Sequence, residues 1–185
     1  MSQVSFFPNI SKDVSKKAEN IKLLALDVDG VLSDGKLQFS AQGDEIKAFC
    51  TLDGHGIKML QQNGIIVAII TGRSSPLVAR RARDLGVEHL IQGREDKRIA
   101  LLEVCTLTGI EIEQCAYMGD DLPDLSAMRA CGLALTVPNA HFHVKASADL
   151  CTTATGGNGA VREAADFILD AQGLLTGLLN EFETK

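Results

Sequence analysis

Asp27, Asp29, Asp120, Asp121, Thr71 and Lys97 are the residues of this chain whose types and places suit them for chemistry. The first two end the apolar run of "LLALDVDGVLSDG", residues 23–35, and the second acidic pair ends "CAYMGDD". Thr71 closes "IIVAII", and Lys97 falls in the first turn of the helical segment after "HLIQG". In an open parallel sheet, ligands gather beyond the carboxyl ends of the strands, so these groups are expected to share one edge. Four carboxylates there repel one another, each pair at about 4 Å costing roughly 4 kcal/mol at an effective dielectric near 20. A cation must sit among them. Oxygen ligands without a His or Cys cluster select Mg2+, which keeps waters and accepts a phosphate oxygen.

Spacing then separates the roles. Asp27, held at a strand end, suits in-line attack on phosphorus, which splits one hard hydrolysis into two easier steps through an aspartyl-phosphate. Asp29, two residues on, would touch the metal through its backbone carbonyl and leave its side chain free as general acid and base. Asp120 would bind the metal directly, with Asp121 and Asp124 in support. Thr71, through its hydroxyl and backbone N–H, and Lys97, through its ammonium, would neutralise charge on the transferring oxygens. Taken singly, Thr71 also reads as a β-branched strand end, and Asp121 and Asp124 also read as helix caps.

Placing these groups requires a regular scaffold, and the chain repeats one theme of a short apolar run followed by an amphipathic segment. That pattern predicts an α/β fold with a doubly wound parallel sheet. The predicted strands are 23–28, 65–70, 89–92, 115–119 and 133–137, with a weaker sixth in "ADLCT". Helices are expected over "GHGIKMLQQNG", over "SSPLVARRARDLG" with Ser75 as N-cap and Gly86 as terminator, and over "REDKRIALLEVCTLTG". The last of these aligns Ile99, Leu102 and Cys105 on one face. "LPDLSAMRACG" and "NAHFHVKASA" are shorter helical candidates. Residues 36–49 interrupt the alternation as an antiparallel hairpin around Gly43, a candidate flap. The end, 156–185, pairs a glycine loop with an apolar helical tail that points to a neighbouring chain.

Composition narrows the classes. The chain has 185 residues, 45% hydrophobic and 23% charged, with a net charge of -6 and no basic stripe, which disfavours a nucleic-acid partner. Five cysteines, an odd number without a CxxC pair, suggest neither disulfides nor zinc and fit a reducing cytoplasm. His55, His89, His141 and His143 have no metal-ligand spacing. The start lacks a signal sequence, and "IIVAII" is far too short to span a membrane.

The ordered set "DVDG", "TGR", "DK" and "GDDLPD" resembles the four motifs of the haloacid dehalogenase-like phosphohydrolases, over residues 21–173. "AIITGRSS", "LGVEHLIQG", "YMGDDLPD" and "GGNGAVREAADFIL" narrow the resemblance to their small capless branch, the 3-deoxy-D-manno-octulosonate-8-phosphate phosphatases. The resemblance implies a single phosphatase domain over 1–185 with the hairpin in place of a cap. It also implies Mg2+-dependent release of phosphate from an eight-carbon sugar acid on the route to lipopolysaccharide. A cytoplasmic homotetramer is implied as well, in which the glycine loop and Arg162 reach a neighbour's site. Asp53, Gly54, Lys58, Arg73 and Arg81 match positions lining the sugar-acid site, although Lys58 and Arg81 also suit a solvated helix surface. Substrate contacts implied for Asp29 and Lys97 complete the set.

Two departures stand out: Leu52 where the family usually has arginine, and Asn158 where its glycine loop usually carries a base. They leave a nine-carbon acylneuraminate phosphate open as substrate. Two non-catalytic readings compete: a receiver-like signalling domain and a sugar-phosphate-binding protein without turnover. A receiver places its lysine after its acidic groups, whereas Lys97 precedes "GDD"; the presence of both Asp27 and Asp29 argues against lost turnover.

Overall fold

The structure is a computed structural model in which residues 5–184 are described. Residues 1–4 and 185, the ends of the single domain expected over 1–185, lie outside that range. In order, the elements are α1 (Lys12–Ala18), β1 (Leu23–Leu26), β2 (Gln38–Phe39), β3 (Glu45–Ile46), α2 (Thr51–Gln62), β4 (Ile66–Ile70), α3 (Pro76–Leu85) and β5 (His89–Ile91). They continue with α4 (Lys97–Thr108), β6 (Cys115–Met118), α5 (Leu125–Met128), β7 (Leu133–Thr136), α6 (Phe142–Ser147), β8 (Leu150–Cys151), α7 (Ala160–Ala171) and α8 (Leu175–Thr184).

Six strands form one parallel sheet in the order β5-β4-β1-β6-β7-β8. β1 is central, with Leu23 in register with Ile66 on one side and Cys115 on the other. Every residue of β1, β6 and β7 is buried, because helices cover both faces and near-continuous apolar runs replace alternation. α2 packs on α7 and α3, and α7 also on α1 and α8; α4 packs on α5, and α5 on α6. Strand order reverses at β1, so a crevice opens beyond its carboxyl end between the ends of β4 and β6.

Several expectations shift. β4 ends at Ile70 as expected, but β1, β5, β6 and β7 end one or two residues before their predicted carboxyl limits, which releases Asp27 and Gly119 into loops. The hairpin forms, but with only two residues per strand, Gln38 opposite Ile46. α1, capped by Ser11 Oγ accepting from Val14 N, is a helix that the apolar patterning does not predict. α2 starts at Thr51 rather than at Gly54, despite two glycines in its body. Gly56 is there because a Cβ would press on the Arg162 backbone and on Ala165 at 3.0–3.1 Å, so α2 and α7 approach closely.

α4 presents a different face. Lys97, Ala100, Leu101, Val104 and Cys105 are buried, while Ile99 and Leu102 are 53% and 40% exposed. The helix is rotated by its first residue, since Lys97 turns inward to carboxylates and residues 100, 101 and 104 follow at helical spacing.

The C-terminal segment is covered within the chain. Val161, Phe167, Ile168 and Leu169 of α7 are core residues, and Leu175, Leu178 and Leu179 of α8 pack against that core. α7 is thus buried by its own chain, whereas α8 is covered only in part, with Phe182 53% exposed.

Candidate active site

Beyond Leu26 the chain does not continue as strand. Asp27 stays extended, its N–H donating to Met118 O at 3.0 Å, and residues Val28–Leu32 coil into an irregular turn. Gly30 makes the turn possible: its φ is 98°, and a Cβ there would occupy the space of the Asp120 carboxylate. The loop is backed by the glycine segment of the same chain. A Cβ on Gly156 would overlap Gly30 O, one on Gly157 would press on Ser33, and Gly157 N donates to Val31 O at 2.9 Å. Asn139 stitches the two loops, Nδ2 donating to Gly30 O and Oδ1 accepting from Gly156 N. This is the physical use of the glycines, and it places the loop at its own chain's site. Asn158, in place of the usual basic residue, holds the loop by donating to Thr155 Oγ1 and Gly156 O, both at 3.1 Å.

A cleft of about 330 Å³ opens over this loop, lined among others by Asp27, Asp29, Thr71, Arg73, Lys97 and Asp120. Lys97, buried, sits between two carboxylates, with Nζ 2.8 Å from Asp27 Oδ1 and 2.6 Å from Asp124 Oδ1. Burial works against its charge, but Asp27 and Asp124 outweigh it and raise its pKa. One ammonium does not balance three acids. Asp27 is pushed up to about 6 by burial and by Asp124, against the pull of Lys97. Asp120 is pushed up to about 8 by burial, then by Asp27 and Asp124.

Oxygens of Asp27, Asp120 and Asp124 lie within 4.8 Å of one another. Their chemistry separates them. Asp124, 1% exposed, is saturated: Oδ1 accepts from Lys97 Nζ and Tyr117 Oη, and Oδ2 accepts from the backbone N–H of Asp120 and Asp121. Gly119 lets it fold back so closely, since a Cβ there would collide with its side chain. Asp120 Oδ1 is the opposite case, buried with no hydrogen-bond partner among the described residues. An orphaned carboxylate oxygen in a cluster of surplus negative charge fits a hard divalent cation. Asp27 and Asp120 could hold such a cation directly, with Asp124 orienting them. Asp121 is exposed, and its Oδ1 accepts from Leu122 N at 2.8 Å as a helix cap.

Removing the surplus charge has a measurable signature. Because Asp27 and Asp120 hold protons in the fold that the unfolded chain releases, metal-free stability falls as pH rises from about 4 toward 8. The cation binds the deprotonated set, so its benefit grows over the same window. At a hundredfold excess over Kd, Mg2+ is expected to add about 2.7 kcal/mol, raising Tm by roughly 5–10 °C for a chain of this size. Thermal melts with and without Mg2+ at pH 5 and pH 8 check this; an increment that shrinks with pH contradicts it.

The remaining site residues divide. Thr71 is buried at the edge of the cleft, but its N–H donates to Ile91 O, so only its hydroxyl is available to an anion. Its Oγ1 accepts from Arg73 N at 3.3 Å. Asp29 is not free, since its Oδ1 pairs with Lys47 and its Oδ2 faces Arg73 Nε at 3.6 Å. Arg73 stays half exposed at the mouth. Asp53, expected at the substrate, is buried and accepts from Gly159 N and Arg162 N, so it caps α7 from α2. Arg162 pairs with Asp166 at 2.8 Å. Gly54, Lys58 and Arg81 line a different, smaller cleft with His55, and Arg81 donates to Cys50 O at 3.0 Å. Gly54 gives room for that guanidinium. Lys47, Glu45, Tyr117 and Asn139 carry no local sequence signal of a site: an acid or base on a hairpin looks solvated, and a strand tyrosine looks like core.

Comparison with known proteins follows this geometry. Residues 41–132 match the profile of the haloacid dehalogenase-like hydrolases. The 3-deoxy-D-manno-octulosonate 8-phosphate phosphatase of Escherichia coli K12 is 48% identical over 166 residues, covering 90% of this chain and 88% of that protein. The chain belongs to this family of haloacid dehalogenase-like phosphatases. A crystal structure of the family's enzyme from Moraxella catarrhalis, in complex with magnesium, phosphate and KDO, superposes with a TM-score of 0.90. It is 50% identical and covers 92% of this chain and 98% of its own. A cobalt-bound family member from Haemophilus influenzae is 45% identical with a TM-score of 0.84, covering 86% and 94% of the two chains. Family membership excludes a receiver domain, as the early place of Lys97 indicates.

Proposed function

We propose that this chain is a Mg2+-dependent phosphatase that converts 3-deoxy-D-manno-octulosonate 8-phosphate to 3-deoxy-D-manno-octulosonate and phosphate. The observation that carries the reading is the Asp27–Lys97–Asp120 cluster at the sheet's switch point, with its orphaned Asp120 oxygen, in a chain of this family. Asp27 and Asp120, with the Asp29 carbonyl, would hold Mg2+, and Asp121 would reach it through water. When bound, the ion offsets charge on the phosphate and draws it into the acidic pocket.

Asp27 attacks phosphorus while the P–O bond to the sugar breaks, and Asp29 protonates the departing alkoxide. Asp29 then takes a proton from water as that water attacks the aspartyl-phosphate, which restores Asp27. Lys97 and the Thr71 hydroxyl balance the oxygens of the transferring group. Arg73 is the group on this chain best placed to meet the sugar acid, by a guanidinium fork. The product suits lipopolysaccharide synthesis. Five free cysteines suit a reducing cytoplasm, and among the described residues no helix is long and apolar enough to cross a membrane. The exposed Leu37, Phe39 and Ile46 of the hairpin suit burial in a homotetramer.

The test is a panel of sugar-acid phosphates assayed side by side. kcat/KM for the eight-carbon 8-phosphate is expected to exceed that for nine-carbon acylneuraminate 9-phosphates by about tenfold or more, the scale of one polar contact. Parity, or preference for nine carbons, would transfer the assignment to the neighbouring branch.

A further inference from the structure

A general acid must be aimed, yet Asp29 lies on an irregular turn past the end of β1 and has no strand to fix it. What fixes it is Lys47, the residue after β3. On an exposed hairpin a lysine ordinarily runs its ammonium into water. Here the side chain is 2% exposed and Nζ pairs with Asp29 Oδ1. Around it the charges alternate and close: Asp29 Oδ2 faces Arg73 Nε at 3.6 Å, Arg73 Nη2 reaches Glu45 Oε1 at 3.1 Å, and that oxygen is 3.9 Å from Lys47 Nζ. Ser75 Oγ donates to Glu45 Oε2 at 2.7 Å and anchors the ring to the start of α3.

With Asp29 ionised, the form that takes the proton from water, two cations and two carboxylates leave this ring neutral, unlike the metal cluster beside it. Of the two cations on Asp29, Arg73 is half exposed and open to an incoming anion, while Lys47 is enclosed. A substrate that engages Arg73 thus leaves Lys47 holding the carboxyl.

We propose that Lys47 is a positioning residue for the phosphatase reaction, its ammonium keeping the Asp29 carboxyl turned toward the leaving oxygen, so that the hairpin is a working part of the site. The inference rests on the acid/base role given to Asp29 above.

The test uses the full chain with Mg2+ and compares first-turnover rates on two kinds of phosphate. A sugar-acid or other alkyl phosphate releases an alkoxide that needs a proton; 4-nitrophenyl phosphate releases a phenolate that does not. Lys47→Met is expected to slow the alkyl substrate about 10- to 100-fold at nearly constant KM and the nitrophenyl burst by less than about threefold. Lys47→Arg, which keeps a cation on Asp29, should recover most of the alkyl rate. Equal losses on both substrates, no loss on either, or a Lys47→Arg defect as deep as that of Lys47→Met would overturn the role. If Lys47→Met does not fold, Lys47→Gln carries the same comparison. Wild-type protein active on other alkyl phosphates but silent on sugar-acid phosphates would overturn the substrate assignment and leave the Lys47 comparison intact.

Discussion

Asp27→Asn is expected to fold and to release no phosphate, with turnover lower by on the order of 10⁴-fold or more, as when a covalent nucleophile is removed. The amide matches the carboxylate in shape, so the turn over Val28–Leu32 and its backing by Gly156 have no reason to move. Lys97 keeps Asp124 at 2.6 Å when it loses its partner at residue 27. Since Asp27 is a buried acid with its pKa raised to about 6, the neutral amide relieves repulsion, and the metal-free variant should melt no lower than wild type near pH 8. Mg2+ binding should weaken but persist through Asp120. Acid-quenched wild-type protein should carry covalent phosphate, and the variant should carry none. Retained turnover would remove Asp27 from the reaction.

Ending the chain at Thr155 is expected to unfold it. Val161, Phe167, Ile168 and Leu169 are each at most 2% exposed, and burying such side chains stabilises by about 1.5–3 kcal/mol each, roughly 6–12 kcal/mol together. Typical domains have only about 5–15 kcal/mol in total. The cut also bares the α2 face at Gly56 and removes the backing of the nucleophile loop. Circular dichroism should show no cooperative melt and a helix loss larger than α7 and α8 account for. A cooperative transition near that of the full chain would contradict this. The glycine loop read from sequence as a reach toward a neighbour suggests a milder outcome, turnover lost and helix kept; the buried face of α7 is what reverses it.

That reversal marks where the sequence was legible. A strand covered on both faces must be apolar almost throughout, so β1, β4, β6 and β7 stood out, and parallel topology then put Asp27, Thr71 and Asp120 at one edge. Contacts set by distant backbone left no such mark. Asp53 looks like a substrate ligand just ahead of a predicted helix, yet it caps a helix that starts 106 residues further on. Gly156 and Gly157 look flexible, yet they are small because another loop lies against them. α4 misled because its apolar residues were aligned without Lys97, and that buried ammonium decides which side of the helix faces in. Lys47 left no signal at all, since nothing local distinguishes an enclosed lysine from a hydrated one.

The buttress of Gly156 and Asn139 behind Gly30 also fixes when the enzyme comes into being during translation. The nucleophile leaves the ribosome early, but β1 waits for β4 and β6 to flank it, and its turn waits for a segment about 125 residues later. A nascent chain stalled before that segment therefore carries every motif residue and no working centre, and catalytic competence arrives only as synthesis nears its end.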